Sequence, residues 1–198
     1  MAAFPHVTIL SDEIYDRLIF DDEPLSLLTY PEIADRLIVL NGWSKTYAMT
    51  GWRLGYGIWP KHLVDYADRM AVNIHSCVNA PTQHAGIAAL TGDQSCVADM
   101  LTAFKRRGAL ITSLLNGIDK VSCQAPGGAF YAFANISQTN IAALDFQQMA
   151  LEDYGVALIA GTSFGGFGEG YVRISCANSD EAISQACARI DTLVHERS

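Results

Sequence analysis

Short apolar runs punctuate the first sixty residues. Val7-Thr8-Ile9-Leu10 is apolar and β-branched, the pattern of a buried strand in a parallel sheet. Leu37-Ile38-Val39-Leu40 predicts a second strand, closed by the turn signal Asn41-Gly42. Arg53-Leu54-Gly55-Tyr56-Gly57-Ile58 alternates and predicts a third, all three being read as part of a larger parallel sheet. Asp21-Asp22-Glu23-Pro24 is an acidic, solvated turn. Pro60 marks the entry to a helix. From His62 the period lengthens, and Leu63, Tyr66, Met70 and Ile74 share one helical face. Asn79-Ala80-Pro81 interrupts this helix, because proline disfavours helical backbone at the residue before it. The alanine-rich piece from Thr82 predicts close packing against a neighbour. Residues 100–118 give the clearest helix, with Leu101, Phe104, Ile111, Leu114, Leu115 and Ile118 near one stripe.

The pattern changes after that helix, which places a domain boundary along it: residues 1–100 and residues 101–198. Val121-Ser122-Cys123 is strand-like, Pro126-Gly127-Gly128 turns the chain, and residues 129–133 alternate aromatic and small side chains. Residues 146–154 predict a helix ended by Gly155, and Val156-Ala157-Leu158-Ile159 a short strand. Five glycines in GTSFGGFGEG, residues 161–170, predict a flexible loop. Residues 171–176 alternate around Arg173. Asn178-Ser179-Asp180-Glu181 resembles a capping box, and Ile183, Ala186, Ile190 and Leu193 line a final helix.

Composition narrows the function. Half of the 198 residues are hydrophobic and 17% are charged, so a sizeable core is expected and disorder is not. A net charge of −8 argues against nucleic acid or an anionic membrane as partner. The one basic run, Lys105-Arg106-Arg107, sits in a helical pattern and reads as a solvated face. Cys77, Cys96, Cys123, Cys176 and Cys187 are odd in number and scattered, which suits reduced thiols in the cytoplasm. The histidines show no H-E-x-x-H spacing, so no metal centre is expected. No apolar run reaches the ~18 residues of a membrane span, and the first residues do not read as a signal peptide.

The candidate chemistry follows strand ends, where open α/β sheets gather ligand-binding groups. Asp12 and Tyr15 come just after the first predicted strand, three residues apart, a spacing that puts both on one face of a turn. Lys45 comes just after the second, with Arg53 eight residues on. Each is ordinary alone: Asp12 can cap a turn, Tyr15 pack at a rim, Lys45 be a surface lysine, Arg53 a strand-end charge and Arg173 half an ion pair. The set is what points to a site.

Three motifs carry a resemblance that runs the length of the chain: S-D-E-I-Y-D at residues 11–16, S-K-T-Y-A-M-T-G-W-R-L-G-Y at residues 44–56, and G-E-G-Y-V-R-I-S at residues 168–175. The P-G-G-A-F-Y turn at residues 126–131 also fits, and the bulk of Trp43 before Ser44 is a small departure. The chain resembles the C-terminal half of a fold-type I pyridoxal-phosphate enzyme of the class I/II aminotransferase family. The resemblance implies an α/β fold: part of the large, cofactor-binding domain, a parallel-rich sheet with helices, followed by a small α+β C-terminal domain. It implies that Lys45 forms a Schiff base with pyridoxal 5′-phosphate and shuttles the substrate proton, as a lysine desolvated enough to act as nucleophile and base can. It implies that Asp12 faces the pyridine nitrogen, Tyr15 the phenolic oxygen, Ser44 and Arg53 the phosphate, and Arg173 the substrate α-carboxylate. Tyr47 and Trp52 are read as packing residues.

The resemblance also implies a long segment ahead of this sequence. That segment holds a glycine-rich helix N-terminus at the phosphate, a ring stacked on the cofactor, and an asparagine partner of its phenolic oxygen. The chain thus reads as beginning mid-fold, with an exposed sheet edge and an uncovered apolar face. Two readings stand. One is a pyridoxal-phosphate-dependent aminotransferase, or a fragment of one, moving an amino group from an L-amino acid to a 2-oxo acid, homodimeric where the full-length fold is present; a related lyase is a variant of it. The other is a truncated, non-catalytic remnant. Residues 73–83, where some relatives place a basic group for an acidic side chain, hold no Lys or Arg, which disfavours that one route to dicarboxylate recognition.

Overall fold

The computed structural model describes residues 4–197, and the chain divides into two compact units, Met1–Leu101 and Thr102–Ser198. In the first unit, β1 (Ile9–Asp12) pairs in parallel with β2 (Leu37–Gly42), Asp12 lying opposite Leu40. A single helical turn, α1 (Trp43–Thr46), leads through a 3-10 turn at Thr50–Trp52 into β3 (Gly55–Ile58). β3 runs antiparallel to β2 and closes on it at Gly42 opposite Gly55, so the three-stranded sheet is mixed where an all-parallel one was expected. The physical reason lies in the connection. A parallel return needs a crossover spanning the sheet, whereas this link folds into two tight turns and hands the chain straight back.

Ile33, Leu37 and Val39 form the buried centre of this unit, with Ile9 and Leu27 packed on it. The helices beyond it are α2 (Val64–His75) and α3 (Ala80–Thr91). Asn79 caps α3 by accepting from the Thr82 N–H at 3.3 Å, and Pro81 sits in the first turn, as the sequence signal requires. The expected apolar face of α2 exists, but Tyr66, Met70 and Ile74 are 64%, 58% and 71% exposed.

α4 (Ser95–Asn116) starts five residues before the predicted start at residue 100, just after Asp93, whose carboxylate accepts from the Ser95 N–H at 3.0 Å and from its hydroxyl. In the second unit, β4 (Ser122–Cys123), β5 (Tyr131–Asn135), α5 (Ala143–Glu152), β6 (Ile159–Ala160), β7 (Tyr171–Ser175) and α6 (Asp180–Arg197) follow in order. Their sheet has the order β4-β5-β7-β6, each pairing antiparallel. Its buried face meets Ile111 and Leu115 of α4, Phe146 and Ala150 of α5, and Ile183, Ile190 and Leu193 of α6 in one core. Arg106 and Arg107 both pair with Asp180 at the start of α6, so the basic run is more than a solvated face. Ser179 caps α6, its hydroxyl accepting from the Ala182 N–H at 3.2 Å.

The glycine-rich stretch has local structure of its own. It folds into 3-10 turns at Gly161–Phe164 and Gly166–Gly168. Gly161 and Gly168 approach so closely that a Cβ on either would meet the other's carbonyl oxygen. Glu169 then ties the stretch to α5 by accepting from the Ala143 N–H at 2.8 Å, one of that helix's first donors, and from Gly170 at 3.1 Å. Gly161 and Gly168 serve close approach here, and Gly165 and Gly170 a positive φ.

Candidate active site

Parallel pairing of β1 and β2 brings their C-terminal ends side by side, and both carry candidate residues. After β1 the chain turns through residues 13–17. Asp12 Oδ1 accepts from the Ile14 N–H at 3.2 Å, and the Glu13 N–H donates to the Leu40 carbonyl at 2.8 Å. Glu13 Oε1 accepts from the Leu27 N–H at 2.9 Å, which pins the turn from outside. Asn41 links the two strand ends: its Nδ2 donates to Asp16 Oδ2 at 2.9 Å, and its Oδ1 accepts from the Gly42 N–H at 2.7 Å.

Only glycine fits at position 42. A Cβ there would lie 2.7 Å from the Leu54 carbonyl oxygen and 2.8 Å from the Gly55 Cα, both backbone atoms. The chain therefore turns tightly into α1, where Lys45 is half-buried with its Nζ 5.9 Å from the centre of the Tyr15 ring. That distance suits a cation over an aromatic face. Trp43 fixes the other side of the turn, its Nε1 donating to the Gly86 carbonyl at 3.0 Å and its ring meeting Tyr56 edge-on at 5.5 Å. Partial burial first, and then the Asp16 and Glu13 carboxylates, push the Tyr56 phenol above its ordinary pKa. The surroundings of this turn are thus acidic.

Ser44 and Arg53 are joined through Thr50. The Ser44 hydroxyl donates to Thr50 Oγ1 at 3.4 Å, and Arg53 Nη1 donates to the Thr50 carbonyl at 2.8 Å. Arg53 holds a left-handed backbone (φ 54°), as does Ala48 (φ 52°) on the same connection. Such non-glycine residues cost of order 1–3 kcal/mol each and gather where the surrounding structure has a use for them. Arg53 also borders an open cleft of about 920 Å³ walled by Trp52, His75, Cys77, Asn79 and Thr82; Lys45, Asp12 and Tyr15 do not line it.

In the second unit Arg173 lies mid-β7, opposite Phe133 and Ile159. Its guanidinium carbon sits 4.3 Å from the ring centres of both Tyr131 and Phe164, a distance that suits a cation beside aromatic rings.

The structure thus brings Asp12, Tyr15 and Lys45 to neighbouring strand ends and links Ser44 to Arg53, while Arg173 stands in the second unit. Trp52, read as packing, is half exposed and lines the cleft. Tyr47 is hydrogen-bonded instead of merely packed: its hydroxyl donates to Gln94 Oε1 at 3.0 Å and accepts from Arg17 at 3.4 Å. Asn41 lies outside the sequence motifs, and Thr50 lies inside the one at residues 44–56 without an assigned role. Their only signal is that each polar side chain flanks a turn next to a candidate residue.

Comparison with solved proteins gives the class first: the chain superimposes on about half of an aminotransferase fold. An aromatic aminotransferase from Pyrococcus horikoshii matches with a TM-score of 0.91 at 33% identity over 96% of this chain and 52% of that one. The aspartate aminotransferase of Rhizobium meliloti matches with a TM-score of 0.91 at 32% identity, over 99% and 52%. A putative aminotransferase of Bacillus subtilis, YugH, is 37% identical over 96% of this chain and 49% of its own length. The aspartate aminotransferase of Streptomyces avermitilis is 37% identical over 98% and 50%. The family profile described as aminotransferase class I and II matches residues 2–190, and the chain belongs to that family. It spans about half the length of the curated relatives it matches.

Proposed function

We propose that this chain carries the lysine anchor and part of the binding site of a pyridoxal-5′-phosphate-dependent aminotransferase that moves an amino group from an L-amino acid to a 2-oxo acid. The observation that carries the reading is the placement of Lys45 beside Tyr15, with Asp12 and Lys45 leaving the ends of adjacent parallel strands. The donor set fits the cofactor: an amine, a carboxylate for a ring nitrogen, a phenol for a ring oxygen, and a hydroxyl and guanidinium for a phosphate. When bound, the cofactor supplies the electron sink that stabilises negative charge at the substrate Cα.

Lys45 Nζ is the covalent anchor and, once displaced by the substrate's amino group, the base that takes the Cα proton. Asp12 holds a proton on the ring nitrogen by charge, Tyr15 orients the ring through its hydroxyl, and Ser44 and Arg53 hold the phosphate. Arg173 takes the substrate carboxylate through the planar fork of its guanidinium, beside the Tyr131 and Phe164 rings. On this reading the Met1–Leu101 unit belongs to the cofactor-binding domain and the Thr102–Ser198 unit is the small domain. A homodimer and a cytoplasmic setting are part of this reading, supported by the family likeness and, for the compartment, by five free cysteines.

The second reading, a non-catalytic remnant, draws support from the apolar residues left exposed on α2 and from the half-length match. One experiment separates them. The purified chain is incubated with pyridoxal phosphate, reduced with borohydride and mapped by peptide mass spectrometry, then assayed with amino-acid pools. Labelling at Lys45, lost in Lys45→Ala, supports the cofactor site, and turnover supports the enzyme. Scattered labelling of surface lysines, or none, sinks the first reading for this chain.

A further inference from the structure

We propose that Thr50 is a positioning residue for the phosphate end of the site, setting Ser44 and Arg53 at a fixed separation; this rests on the cofactor reading. Thr50 Oγ1 donates to the Ser44 carbonyl at 3.0 Å and receives the Ser44 hydroxyl at 3.4 Å. Its own carbonyl accepts from Arg53 Nη1 at 2.8 Å. One residue therefore grips both groups assigned to the anion, one through its side chain and the other through its main chain. Thr50 opens the 3-10 turn that delivers Arg53 in its left-handed conformation, so the guanidinium folds back over the turn and onto Thr50.

The lengths of these contacts match that role. The Thr50-to-Ser44 carbonyl bond has an ordinary length, so the tether is firm. The Ser44 hydroxyl bond is long for an O–H···O contact, so that hydroxyl is free to rotate toward an incoming oxyanion without loss of the tether. Two donors held at a fixed spacing bind a dianion better than two that must be ordered on binding. Thr50 is exposed, which means its substitution removes no core packing. A loop-stabilising residue and a phosphate-positioning residue then differ in one respect: only the second acts through the phosphate.

The test uses the full chain and two aldehydes, pyridoxal 5′-phosphate and pyridoxal, the second lacking the phosphate. Apparent affinity is read from the dose dependence of borohydride-trapped label at Lys45. Thr50→Val, isosteric but without the hydroxyl, loses the tether to the Ser44 carbonyl and the longer contact from the Ser44 hydroxyl, and is expected to weaken pyridoxal-phosphate uptake about threefold to tenfold. Pyridoxal uptake is expected to stay unchanged, and Thr50→Ser to restore phosphate-dependent uptake. Ser44→Ala and Arg53→Ala serve as reference and show the same selectivity for the phosphate form. Equal weakening toward both aldehydes, or toward neither, overturns the proposal while leaving Lys45 as anchor. If Lys45 takes up neither aldehyde specifically, the cofactor reading itself fails and the proposal with it.

Discussion

The Thr102–Ser198 unit gathers twenty buried residues into one core, whereas the buried cluster of the Met1–Leu101 unit holds three, among the described residues. Two helices show what separates them. α6 places Ile183, Ile190 and Leu193 on one face, and all three are at most 3% exposed. α2 places Tyr66, Met70 and Ile74 on one face by the same spacing, and all three lie open. Periodicity records which surface is built for burial; it does not say whether the chain supplies the other side of the contact. Lys45 and its neighbours thus sit on the thinly cored unit. Their geometry rests on polar ties such as Asn41 to Asp16 and on close backbone approach at Gly42, rather than on apolar packing.

The largest expected effect tests the better-cored side. Phe146 is completely buried, and Phe146→Ala is expected to cost about 3–5 kcal/mol of stability in denaturant unfolding of the full chain. The chain offers a way to see where that loss falls. Its three tryptophans, Trp43, Trp52 and Trp59, all belong to the Met1–Leu101 unit. Far-ultraviolet circular dichroism reports the helices of both units, while tryptophan fluorescence reports the first alone. If the units differ as their cores do, Phe146→Ala moves the dichroism midpoint well ahead of the fluorescence midpoint. Coincident shifts would show one cooperative transition and break the comparison.

Much of the architecture is legible in the sequence. The strand core at 37–40, the strand at 171–175, the break before Pro81 and the face of α6 follow from local pattern and turn chemistry, which act within a few residues, although β2 runs on through Asn41 and Gly42, where a turn was expected. The neighbourhood of Asp12, Tyr15 and Lys45 is legible because Asp12 ends β1 while Tyr15 and Lys45 come just after strand ends, and parallel pairing then brings those ends together. The features that escape a sequence reading depend on long-range choices. The direction of β3 is set by how the 43–54 link folds. The glycine-rich stretch is tied down by Glu169 reaching the start of α5, and glycine composition alone reads as mobility. Thr50 and Asn41 act through partners that no spacing rule connects to them.

A smaller effect sharpens the contrast by pH. Burial, with Cys123 nearby, pushes the Cys176 thiol up to about 11, and burial, with Cys176 and Cys123, does the same for Cys187. An unfolded thiol ionises near pH ~8.5. Between that value and pH 11 the unfolded chain loses protons that the folded one keeps, so stability falls as pH rises through this window and is unaffected below it. The slope is at most about 1.4 kcal/mol per pH unit for each thiol. Melts across this range are expected to show the fall in dichroism, and Cys187→Ala to flatten it. A pH-independent melt in the same window would mean that these thiols are not shielded as the core of the second unit requires.

The smallest effect bears most directly on the thinly cored unit. Ile74 is 71% exposed on α2, and if it meets only solvent, Ile74→Ser removes nothing that folding has buried. The expected change in the fluorescence midpoint is then within about 0.5 kcal/mol, as for surface substitutions in general, with a gain in solubility because an apolar patch is broken. Tyr66→Ser and Met70→Ser on the same face are expected to behave alike. A loss of about 2 kcal/mol or more, the cost of removing a buried aliphatic side chain, would mean that this face is covered in solution. Dependence of that loss on protein concentration would identify the cover as a second copy of the chain, since only an intermolecular contact makes stability depend on protomer concentration. The contrast between α2 and α6 would then lie in what covers each helix, not in how well each is packed.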